Sequence, residues 1–419
     1  MRCFTSPHPP HTLDASGLSQ ALVEDLVLKH LLVLGEFRMA DVAQRVKLPV
    51  SVVEEVLEEL RRENLIEVKG SPNFAKTSYV HRLTEAGHRK GQEALRLCRY
   101  VGSAPVSLED YSDMVQKQTL KGFIGSDGSL RSALSELVLD ESIVRRIGPA
   151  MSSGQALFLY GPAGNGKTSI AEAIGRALPE QIYVPYAVAV GGEIISVYDP
   201  VCHEAVENPE ETQESDARWI LIKRPVVTAG GELSLDLLDL TFSHSTRYYE
   251  ASLQMKANNG LFVLDDFGRQ QTDPIHILNR WIVPLERHVD HMTLDSGMRF
   301  VIPFDVLVVF STDLHPKELV HEAFLRRLRY KIKIDRPTRQ EYLAIFKRVC
   351  NSHGVEFCPE SYAYLEEQWY GAHGIARSAC HPRDLIDHII ASARYYGELP
   401  QLRRETLAAA CTDYFAPPG

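Results

Sequence analysis

The chain has 419 residues, of which 44% are hydrophobic and 24% are charged, and its formal net charge is −10. This length predicts two or three domains, and the composition is typical of a soluble globular protein. The negative balance excludes a surface built mainly to hold nucleic acid or an anionic membrane, while it leaves room for a local basic patch.

The cysteines and the apolar runs indicate where the protein works. Seven cysteines are scattered along the chain, and none has the CxxC spacing, which favours free thiols in a reducing compartment over disulfides or a zinc site. The most apolar early run, Leu26–Gly35, is interrupted by Lys29 and His30 and is too short to cross a bilayer. The first residues lack the apolar segment of a signal peptide. We therefore expect a cytoplasmic protein without membrane insertion.

The first hundred residues predict a small domain of helices and strands. Residues 1–16 are expected to form a disordered tail. The elements predicted after it are helices at about Leu18–Leu34 and Met39–Val46, a third helix with a Ser51–Glu54 capping box, strands at Leu65–Lys69 and Ser78–Leu83, and a helix capped by Thr84. Three helices followed by a two-stranded hairpin resemble a winged helix-turn-helix domain, which we place at residues 17–99.

The third helix of this segment has the wrong charge for reading a DNA duplex. It contains two arginines but five glutamates, namely Glu54, Glu55, Glu58, Glu59 and Glu63. Glutamates that face DNA are repelled by phosphate, whereas recognition helices supply cations. The hairpin and the last helix offer a weaker basic surface, made of Lys69, Lys76, His81, Arg82, Arg89 and Lys90. Docking to a protein client or adaptor is therefore favoured, and nucleic-acid binding is the alternative.

A glycine-rich loop follows a linker at residues 100–129, an amphipathic helix at about Leu130–Ile147 and the apolar run Ala156–Tyr160. The loop matches GxxxxGK[ST], and its residues are Gly161, Pro162, Ala163, Gly164, Asn165, Gly166, Lys167 and Thr168, with Ser169 in the helix that follows. In this strand–loop–helix order, backbone N–H groups and the helix N-terminus surround phosphate oxygens. Lys167 would reach the β- and γ-phosphates, and Thr168 would bind Mg²⁺. The loop predicts a nucleoside-triphosphate site.

Two later strands would complete this site. The apolar strand Gly260–Leu264 ends in Asp265 and Asp266, and a second strand at Asp305–Phe310 leads to Asp313. Because the carboxyl ends of parallel strands meet at one edge of a sheet, these acids are expected beside the phosphate loop. Asp265 would hold the Mg²⁺ shell, and Asp266 would orient or activate the attacking water.

The order of these motifs resembles that of the AAA+ ATPases. Between the two strands lie a helix at Ile275–Val283 and an alternating stretch around Asp295-Ser296-Gly297, which predicts a β-hairpin. A hairpin inserted before the first sensor strand is similar to the branch of MoxR-like ATPases, magnesium chelatases and bacterial enhancer-binding activators. The resemblance covers residues 130–415. It implies an α/β fold, with a parallel-sheet core at residues 130–336 and a helical lid at residues 337–419.

The resemblance implies further site residues. The family usually has Asn as its first sensor, at the end of the fourth strand, where this chain has Asp313. Its arginine finger would be Arg327, with Arg326 as second choice, and would reach the γ-phosphate held by a neighbouring subunit. Its second sensor would be Arg383 in the lid, in contact with the phosphate of the same subunit. A finger that acts in trans implies a homo-oligomer, for which the family suggests a hexameric ring.

The leading interpretation is an ATPase that hydrolyses Mg-ATP at the subunit interfaces of a ring and remodels a protein partner recruited by the winged-helix segment. Two departures bear on its rate. Asp266 stands where the family more often has Glu. The carboxylate of Asp313 is electrostatically unfavourable near a γ-phosphate unless it is protonated or paired. The alternatives are a DNA-bound ATP-dependent regulator or DNA-processing factor, and a slowly hydrolysing, nucleotide-gated scaffold.

Overall fold

The computed structural model describes residues 6–70, 79–120, 127–178, 181–206, 215–319 and 328–415. The α-helices in these ranges are α1 (Gln20–Leu34), α2 (Met39–Val46), α3 (Val50–Arg62), α4 (Glu85–Leu97), α5 (Leu108–Lys117), α6 (Asp127–Leu134), α7 (Glu141–Ser153), α8 (Lys167–Ala177), α9 (Leu253–Lys256), α10 (Pro274–Arg287), α11 (Pro316–Leu319), α12 (Arg339–Ser352), α13 (Pro359–Tyr364), α14 (His381–Tyr396) and α15 (Arg404–Phe415). A π-helix, Leu365–Gly371, follows α13.

The strands form several small sheets. They are β1 (Glu36–Phe37), β2 (Ile66–Gly70), β3 (Val80–Leu83), β4 (Val106–Ser107), β5 (Leu157–Tyr160), β6 (Gln181–Pro185), β7 (Ala187–Val190), β8 (Glu193–Ser196), β9 (Trp219–Lys223), β10 (Val226–Ala229), β11 (Thr241–Ser243), β12 (Tyr248–Glu250), β13 (Leu261–Leu264), β14 (Val289–Thr293), β15 (Arg299–Pro303), β16 (Leu307–Thr312) and β17 (Tyr330–Lys333). Helices and sheets are thus combined as the predicted α/β class requires.

The chain divides into two compact units. The first is built from residues 1–122, 178–262 and 271–307, and the second from residues 123–177, 263–270 and 308–419. No helix in the described part of either unit is both long enough and apolar enough to cross a membrane.

The N-terminal part of the first unit contains α1–α4 and a sheet in the order β1–β3–β2. One apolar cluster joins α1, α2 and α3, and it includes Val23, Leu26, Leu31, Val42, Val46, Val53, Val56 and Leu60. The predicted helices and strands of this segment are confirmed within a few residues. Thr84 caps α4 as predicted, because its hydroxyl accepts a hydrogen bond from the Gly87 N–H at 3.1 Å.

The predicted Ser51–Glu54 capping box is wrong. The helix α3 begins two residues earlier, at Val50, and its N-cap position is Pro49, which has no side chain that can cap. The Ser51 hydroxyl instead donates to the His11 carbonyl at 3.2 Å. The pattern of a serine followed by a glutamate three residues later therefore predicted the helix correctly but its N-cap residue wrongly.

Two segments expected to lack regular structure make defined contacts within the first unit. In the expected tail, residues 1–16, the described part lies against α3, where the Leu13 N–H donates to the Glu55 carboxylate at 3.2 Å. In the expected linker, residues 100–129, β4 pairs in parallel with β7. The helix α5 follows β4 and buries Tyr111 and Val115.

The remaining part of the first unit is rich in β-structure. One sheet has the strand order β11–β12–β8–β7–β4, and β6 pairs separately with β9. The predicted hairpin is confirmed, since β14 and β15 are antiparallel, with Met292 opposite Phe300. Tyr249 of β12 is buried and contacts Phe242, so this tyrosine is a packing residue.

The second unit contains the strand that precedes the phosphate loop. In its sheet, both β16 and β17 pair in parallel with β5. The β5 residues Leu157, Phe158 and Leu159 are fully buried, as expected for a strand covered on both faces. This arrangement brings the carboxyl end of β16 next to the start of the phosphate loop.

The single helix predicted at Leu130–Ile147 is wrong, because the structure has two helices there. The helix α6 ends at Leu134, and α7 begins after Asp140, whose carboxylate caps α7 by accepting from the Ser142 N–H at 2.7 Å. Residues 135–140 between them are not helical. The amphipathic periodicity continued across this interruption and concealed it.

The C-terminal part of the second unit is helical, as predicted. The helices α12–α15 and the π-helix share an apolar cluster that includes Tyr342, Phe346, Leu365, Trp369, Leu385, Ile389, Leu407 and Cys411. The six cysteines in the described residues are free.

Candidate nucleotide site

The phosphate loop lies between β5 and α8. Its first N–H, that of Gly161, donates to the Thr312 carbonyl of β16 at 3.2 Å. Gly161 has φ +140°, and a Cβ atom there would lie 2.1 Å from the Ile334 carbonyl oxygen. Only glycine fits so close to another backbone in this conformation. The glycine is therefore required by the geometry of the loop and not only by its flexibility.

The Lys167 side chain is held inside the loop. It is 6% exposed, and its ammonium donates to the carbonyls of Gly161 at 2.9 Å and Pro162 at 3.1 Å. Burial lowers the pKa of Lys167, whereas three acids act to raise it, namely Asp313, Asp266 and Asp265. The side chain is thus a partly desolvated cation whose donors point into the loop, as binding of a phosphate group requires.

Thr168 and Asp265 meet directly. The Thr168 hydroxyl lies 3.0 Å from each carboxylate oxygen of Asp265. A hydroxyl and a carboxylate are hard oxygen ligands of the type that Mg²⁺ takes together with phosphate and water. Within the described residues, no group of three or more His, Cys, Asp and Glu side chains forms a metal cage. A metal held by Thr168 and Asp265 would take its remaining ligands from phosphate and water.

A tight turn at the end of β13 holds the two consecutive acids. Asp266 is exposed and has φ +47°, which is uncommon for a residue other than glycine. The Gln270 side chain crosses the turn, donating to the Asp265 carbonyl at 3.0 Å and accepting from the Gly268 N–H at 2.8 Å. Strain of this kind costs about 1–3 kcal/mol and is concentrated at functional sites. The turn therefore supports a functional role for Asp266.

Asp313 is paired with an arginine that the sequence analysis missed. The Arg269 Nη2 lies 2.5 Å from one carboxylate oxygen of Asp313, and its Nε lies 3.4 Å from the other. The hydrogen bond from Arg269 lowers the pKa of Asp313. This partner could have been found from the sequence. A carboxylate at Asp313 is expected to need a partner, and Arg269 lies only four residues after Asp265, which is predicted at the same edge of the sheet.

A cleft of about 850 Å³ opens beside the loop, entirely within the second unit. One side, the phosphate wall, is made by residues 163–169. A second group of lining residues, which we call the helical wall, is made by residues 135–139 together with Ile345, Arg348, Val349 and Ser352 of α12. Asp266, Ser311, Ala379, Cys380 and Arg383 complete the lining. A cleft of this volume is in the range that holds small-molecule ligands.

Two polar groups of the lining stand out. The Ser311 hydroxyl is buried and has no hydrogen-bond partner among the residues that the structure describes. Arg383 is exposed, and its nearest ionic neighbour is Asp384, at 3.8 Å. A buried hydroxyl that lacks a protein partner is commonly satisfied by a ligand or water. Both groups are thus available to a molecule bound in the cleft.

A short segment before α14 contacts the back of the phosphate loop, and we call Ser378, Ala379 and Cys380 the lid clamp. The Cys380 N–H donates to the Gly164 carbonyl at 2.8 Å, and the Ala379 N–H donates to the Asn165 side-chain oxygen at 3.1 Å. A Cβ atom at Gly164 would lie 2.7 Å from the Ser378 hydroxyl. Backbone hydrogen bonds therefore fix the loop to the C-terminal helices.

A buried carboxylate anchors the lid clamp from the other side. Glu366, in the π-helix, is nearly inaccessible, and it pairs with Arg377 at 2.6 Å and Arg339 at 3.2 Å. Arg377 immediately precedes the clamp and also lies over the Tyr370 ring. Because a π-helix often marks a functional segment, its position directly behind the clamp agrees with a role for this region in the site.

The outcome for the sequence-predicted residues is mixed. The cleft includes Asp266, Arg383 and residues 163–169 of the loop, while Asp265 contacts Thr168 and Asp313 contacts Arg269. Arg326 and Arg327 lie outside the described residues. The sequence patterns did not predict Arg269, Arg348, the lid clamp or residues 135–139. The last three groups come from distant parts of the chain and leave no local motif.

Comparisons with known proteins add a family model and several distant structures. Residues 338–413, which contain the lid clamp, match a domain of unknown function, DUF8689. No curated protein matches the sequence. The structure is similar to NtrX from Brucella abortus in complex with ADP (15% identity, TM-score 0.41), over 68% of this chain and 57% of that one. The chain therefore spans less than two thirds of the NtrX chain.

Two other solved structures are also similar. One is the Holliday junction branch migration motor RuvB of Thermotoga maritima, at 13% identity and a TM-score of 0.35, over 72% of this chain and 73% of that one. The other is the complex of magnesium chelatase subunits BchI and BchD, at 15% identity and a TM-score of 0.33, over 66% of this chain and 92% of that one. At these scores the interpretation of the site rests on its own geometry.

Proposed function

We propose that this chain is an AAA+ ATPase that binds Mg-ATP in the cleft and hydrolyses it. The single observation that carries the proposal is the contact between Thr168 and Asp265 at 3.0 Å, directly after the buried Lys167 of the phosphate loop. The contact joins residues that are 97 positions apart in the sequence. A chance match to the loop pattern would give no reason for a carboxylate to meet the threonine that follows the lysine.

Each group at the site has a proposed task. Backbone N–H groups of the loop and the Lys167 ammonium would bind the phosphates, and Thr168 and Asp265 would hold the Mg²⁺ that neutralises their charge. Asp266 would orient the attacking water and accept its proton. Arg383 lines the same cleft and would contact the transferred phosphate from the lid. Arg327, or Arg326, would supply a cation from a neighbouring subunit of a ring, which we propose to be a hexamer.

The helical wall suits the base of the nucleotide. Leu137, Val138 and Leu139 face the cleft together with Ile345 and Val349 of α12. A purine ring would bury apolar area in such a pocket. Charged phosphates at one side and an apolar pocket at the other give the cleft the polarity of ATP.

We further propose that the N-terminal helices are a winged-helix module that recruits a protein partner, in the cytoplasm. The acidic α3 supports a protein partner over DNA, and residues 6–16 already occupy part of its surface through Leu13 and His11. DNA binding is the alternative. A salt-dependent mobility shift of duplex DNA by the full chain would favour it.

A second candidate, a nucleotide-gated scaffold with slow turnover, is favoured by Asp266. An aspartate is one methylene shorter than glutamate, so its carboxylate would lie farther from the water that it activates. Such a protein would bind ATP as tightly as a fast ATPase but release little phosphate. Comparison of ATP affinity with the rate of phosphate release separates the two candidates.

The test of the proposal is ATP binding by the full chain and by its Lys167→Ala variant. Hydrogen bonds to charged groups contribute about 1.5–3 kcal/mol, so the variant should bind Mg-ATP roughly 10- to 150-fold more weakly. Equilibrium binding of a fluorescent ATP analogue, with displacement by ATP, measures the effect. Phosphate release by the unmodified chain should fall with the same substitution.

Lys223→Ala is the matched control. Lys223 is an exposed lysine of the first unit that pairs with Glu204 at 2.5 Å, and its loss should leave ATP affinity unchanged. An unmodified chain that does not bind Mg-ATP at millimolar concentration, or a Lys167→Ala variant that binds as tightly as the unmodified chain, would contradict the proposal.

A further inference from the structure

The carboxylate of Asp313 lies close to the start of the phosphate loop and would add negative charge beside a phosphate bound there. Asp313 directly follows β16, and Thr312 of that strand is paired with Tyr160, the last residue of β5. The next residue, Gly161, begins the phosphate loop. Burial lowers the pKa of Lys167, and Asp313 is the acid that acts most strongly to raise it. One neighbouring side chain must offset this negative charge if phosphate is to bind.

Arg269 is that side chain. Its guanidinium contacts both oxygens of Asp313, with Nη2–Oδ2 2.5 Å and Nε–Oδ1 3.4 Å, the paired geometry in which arginine recognises a carboxylate. Asp313 is 21% exposed and Arg269 is 60% exposed. The pair therefore lies at the surface of the site and can still be screened by salt.

The turn after β13 fixes the position of Arg269. The Arg269 N–H donates to the Asp266 carbonyl at 3.0 Å, which ties the arginine to the acid proposed to orient water. Gly268, with φ +104°, gives the turn its sharp bend, and Leu319 packs against it. One compact turn thus carries a metal-binding acid, a water-orienting acid and the cation that offsets Asp313.

We propose that Arg269 is a positioning residue that neutralises Asp313 and thereby lets the site accept a nucleoside triphosphate in preference to a diphosphate. The inference rests on the proposed function. Asp313 acts electrostatically on Lys167, the side chain proposed to bind the phosphates, so an unpaired carboxylate there would oppose a triphosphate more than a diphosphate. Arg269 thus compensates within the same chain for the negative charge at the first-sensor position.

The experiment compares ATP and ADP affinities of the full chain in three variants, with Mg²⁺ present. Arg269→Gln leaves the Asp313 charge without its partner and should weaken ATP binding about tenfold more than ADP binding, since a like charge disfavours the extra phosphate. Asp313→Asn should leave the ATP-to-ADP preference at least as high as in the unmodified chain. The double variant should return the preference to within about twofold of Asp313→Asn, because the charge that needed Arg269 is absent.

Salt dependence and a control pair separate this role from a structural one. The effect of Arg269→Gln should shrink as salt rises, because exposed charges are screened over about 8–10 Å at physiological ionic strength. Arg82→Gln breaks a matched exposed ion pair, Arg82–Glu67 at 2.5 Å in the first unit, and should not change the preference. A purely structural Arg269 would lower the melting temperature and weaken ATP and ADP equally.

The outcomes distinguish this inference from the proposed function. An ATP-to-ADP preference that is unchanged in Arg269→Gln, or that stays low in the double variant, overturns the inference and leaves nucleotide binding intact. An unmodified chain that binds neither nucleotide overturns the proposed function and the inference together.

Discussion

The phosphate wall and the helical wall of the cleft are assembled in different ways. The phosphate wall is one continuous stretch, residues 163–169, whose shape follows from local glycine conformations. The helical wall combines residues 135–139 with α12, and the bond that joins them, from Arg348 to the Ser135 carbonyl, spans 213 positions at 2.7 Å. The chemistry of binding is thus encoded locally, whereas the shape of the pocket depends on long-range packing.

The lid clamp connects the phosphate wall to the C-terminal helices that supply α12. It does so through the backbone of Ala379 and Cys380, which donate to the Asn165 side chain and the Gly164 carbonyl. A movement of the C-terminal helices would therefore shift the phosphate loop through these backbone contacts. Changes at three places should show how these parts depend on each other: at Asn165 between the loop and the clamp, at Arg348 in the helical wall, and at His381 behind the clamp.

The largest effect is expected for Asn165→Ala, which removes the side chain between the loop and the clamp. Asn165 is 5% exposed, and it accepts from the Ala379 N–H and donates to the Pro162 carbonyl at 3.0 Å. Loss of the acceptor leaves a partly buried N–H without its partner, which costs about 1–2 kcal/mol. The melting temperature should fall by about 2–4 °C for each kcal/mol, measured by calorimetry.

Asn351→Ala is the control for that measurement, because Asn351 is exposed at the end of α12. It should leave the melting temperature within error of the unmodified chain. A normal melting temperature for Asn165→Ala would mean that the clamp contributes little to the stability of the second unit.

Much of the phosphate wall could be predicted from the sequence, and the reason is local. The loop, Asp265 and the strand ends follow from short patterns whose meaning does not depend on the rest of the chain. The helical wall could not be predicted, because the break at residues 135–140 lies inside a continuous amphipathic pattern and is marked mainly by the Asp140 cap. Arg269 is an intermediate case. No motif marks it, but the negative charge of Asp313 indicates that a cation should lie nearby.

A smaller effect is expected for Arg348→Ala, which weakens the helical wall alone. The Arg348 side chain is exposed at the cleft and holds residues 135–139 through the Ser135 carbonyl. Loss of one such hydrogen bond costs about 0.5–1.5 kcal/mol, which corresponds to roughly two- to twelvefold weaker binding. ATP and ADP should be affected equally, because the two share the base and ribose. Displacement of a fluorescent nucleotide measures both affinities.

Lys347→Ala is the matched control on the same helix. Lys347 lies over the Phe357 ring at 5.3 Å and does not line the cleft. Its removal should change neither affinity. Selective loss of ATP binding in Arg348→Ala would instead place Arg348 at the phosphates and contradict its assignment to the helical wall.

A pH dependence of stability is expected behind the lid clamp, at His381. Burial lowers the pKa of His381 from the usual 6.5 to about 4, an effect that Arg336 reinforces and Asp384 partly opposes. The imidazole stacks on Tyr370 and lies 3.0 Å from its hydroxyl. The folded state thus binds this proton less readily than the unfolded chain does. The stability linked to His381 is therefore complete above pH 6.5 and decreases as the pH falls toward 4.

Denaturant unfolding between pH 7 and 4.5 measures this contribution. His381→Gln removes the titrating group, so the loss of stability on acidification should be shallower than in the unmodified chain. His388→Gln, an exposed position on the same helix, should keep the unmodified slope. If both variants lose stability in parallel with the unmodified chain, another group causes the acid sensitivity.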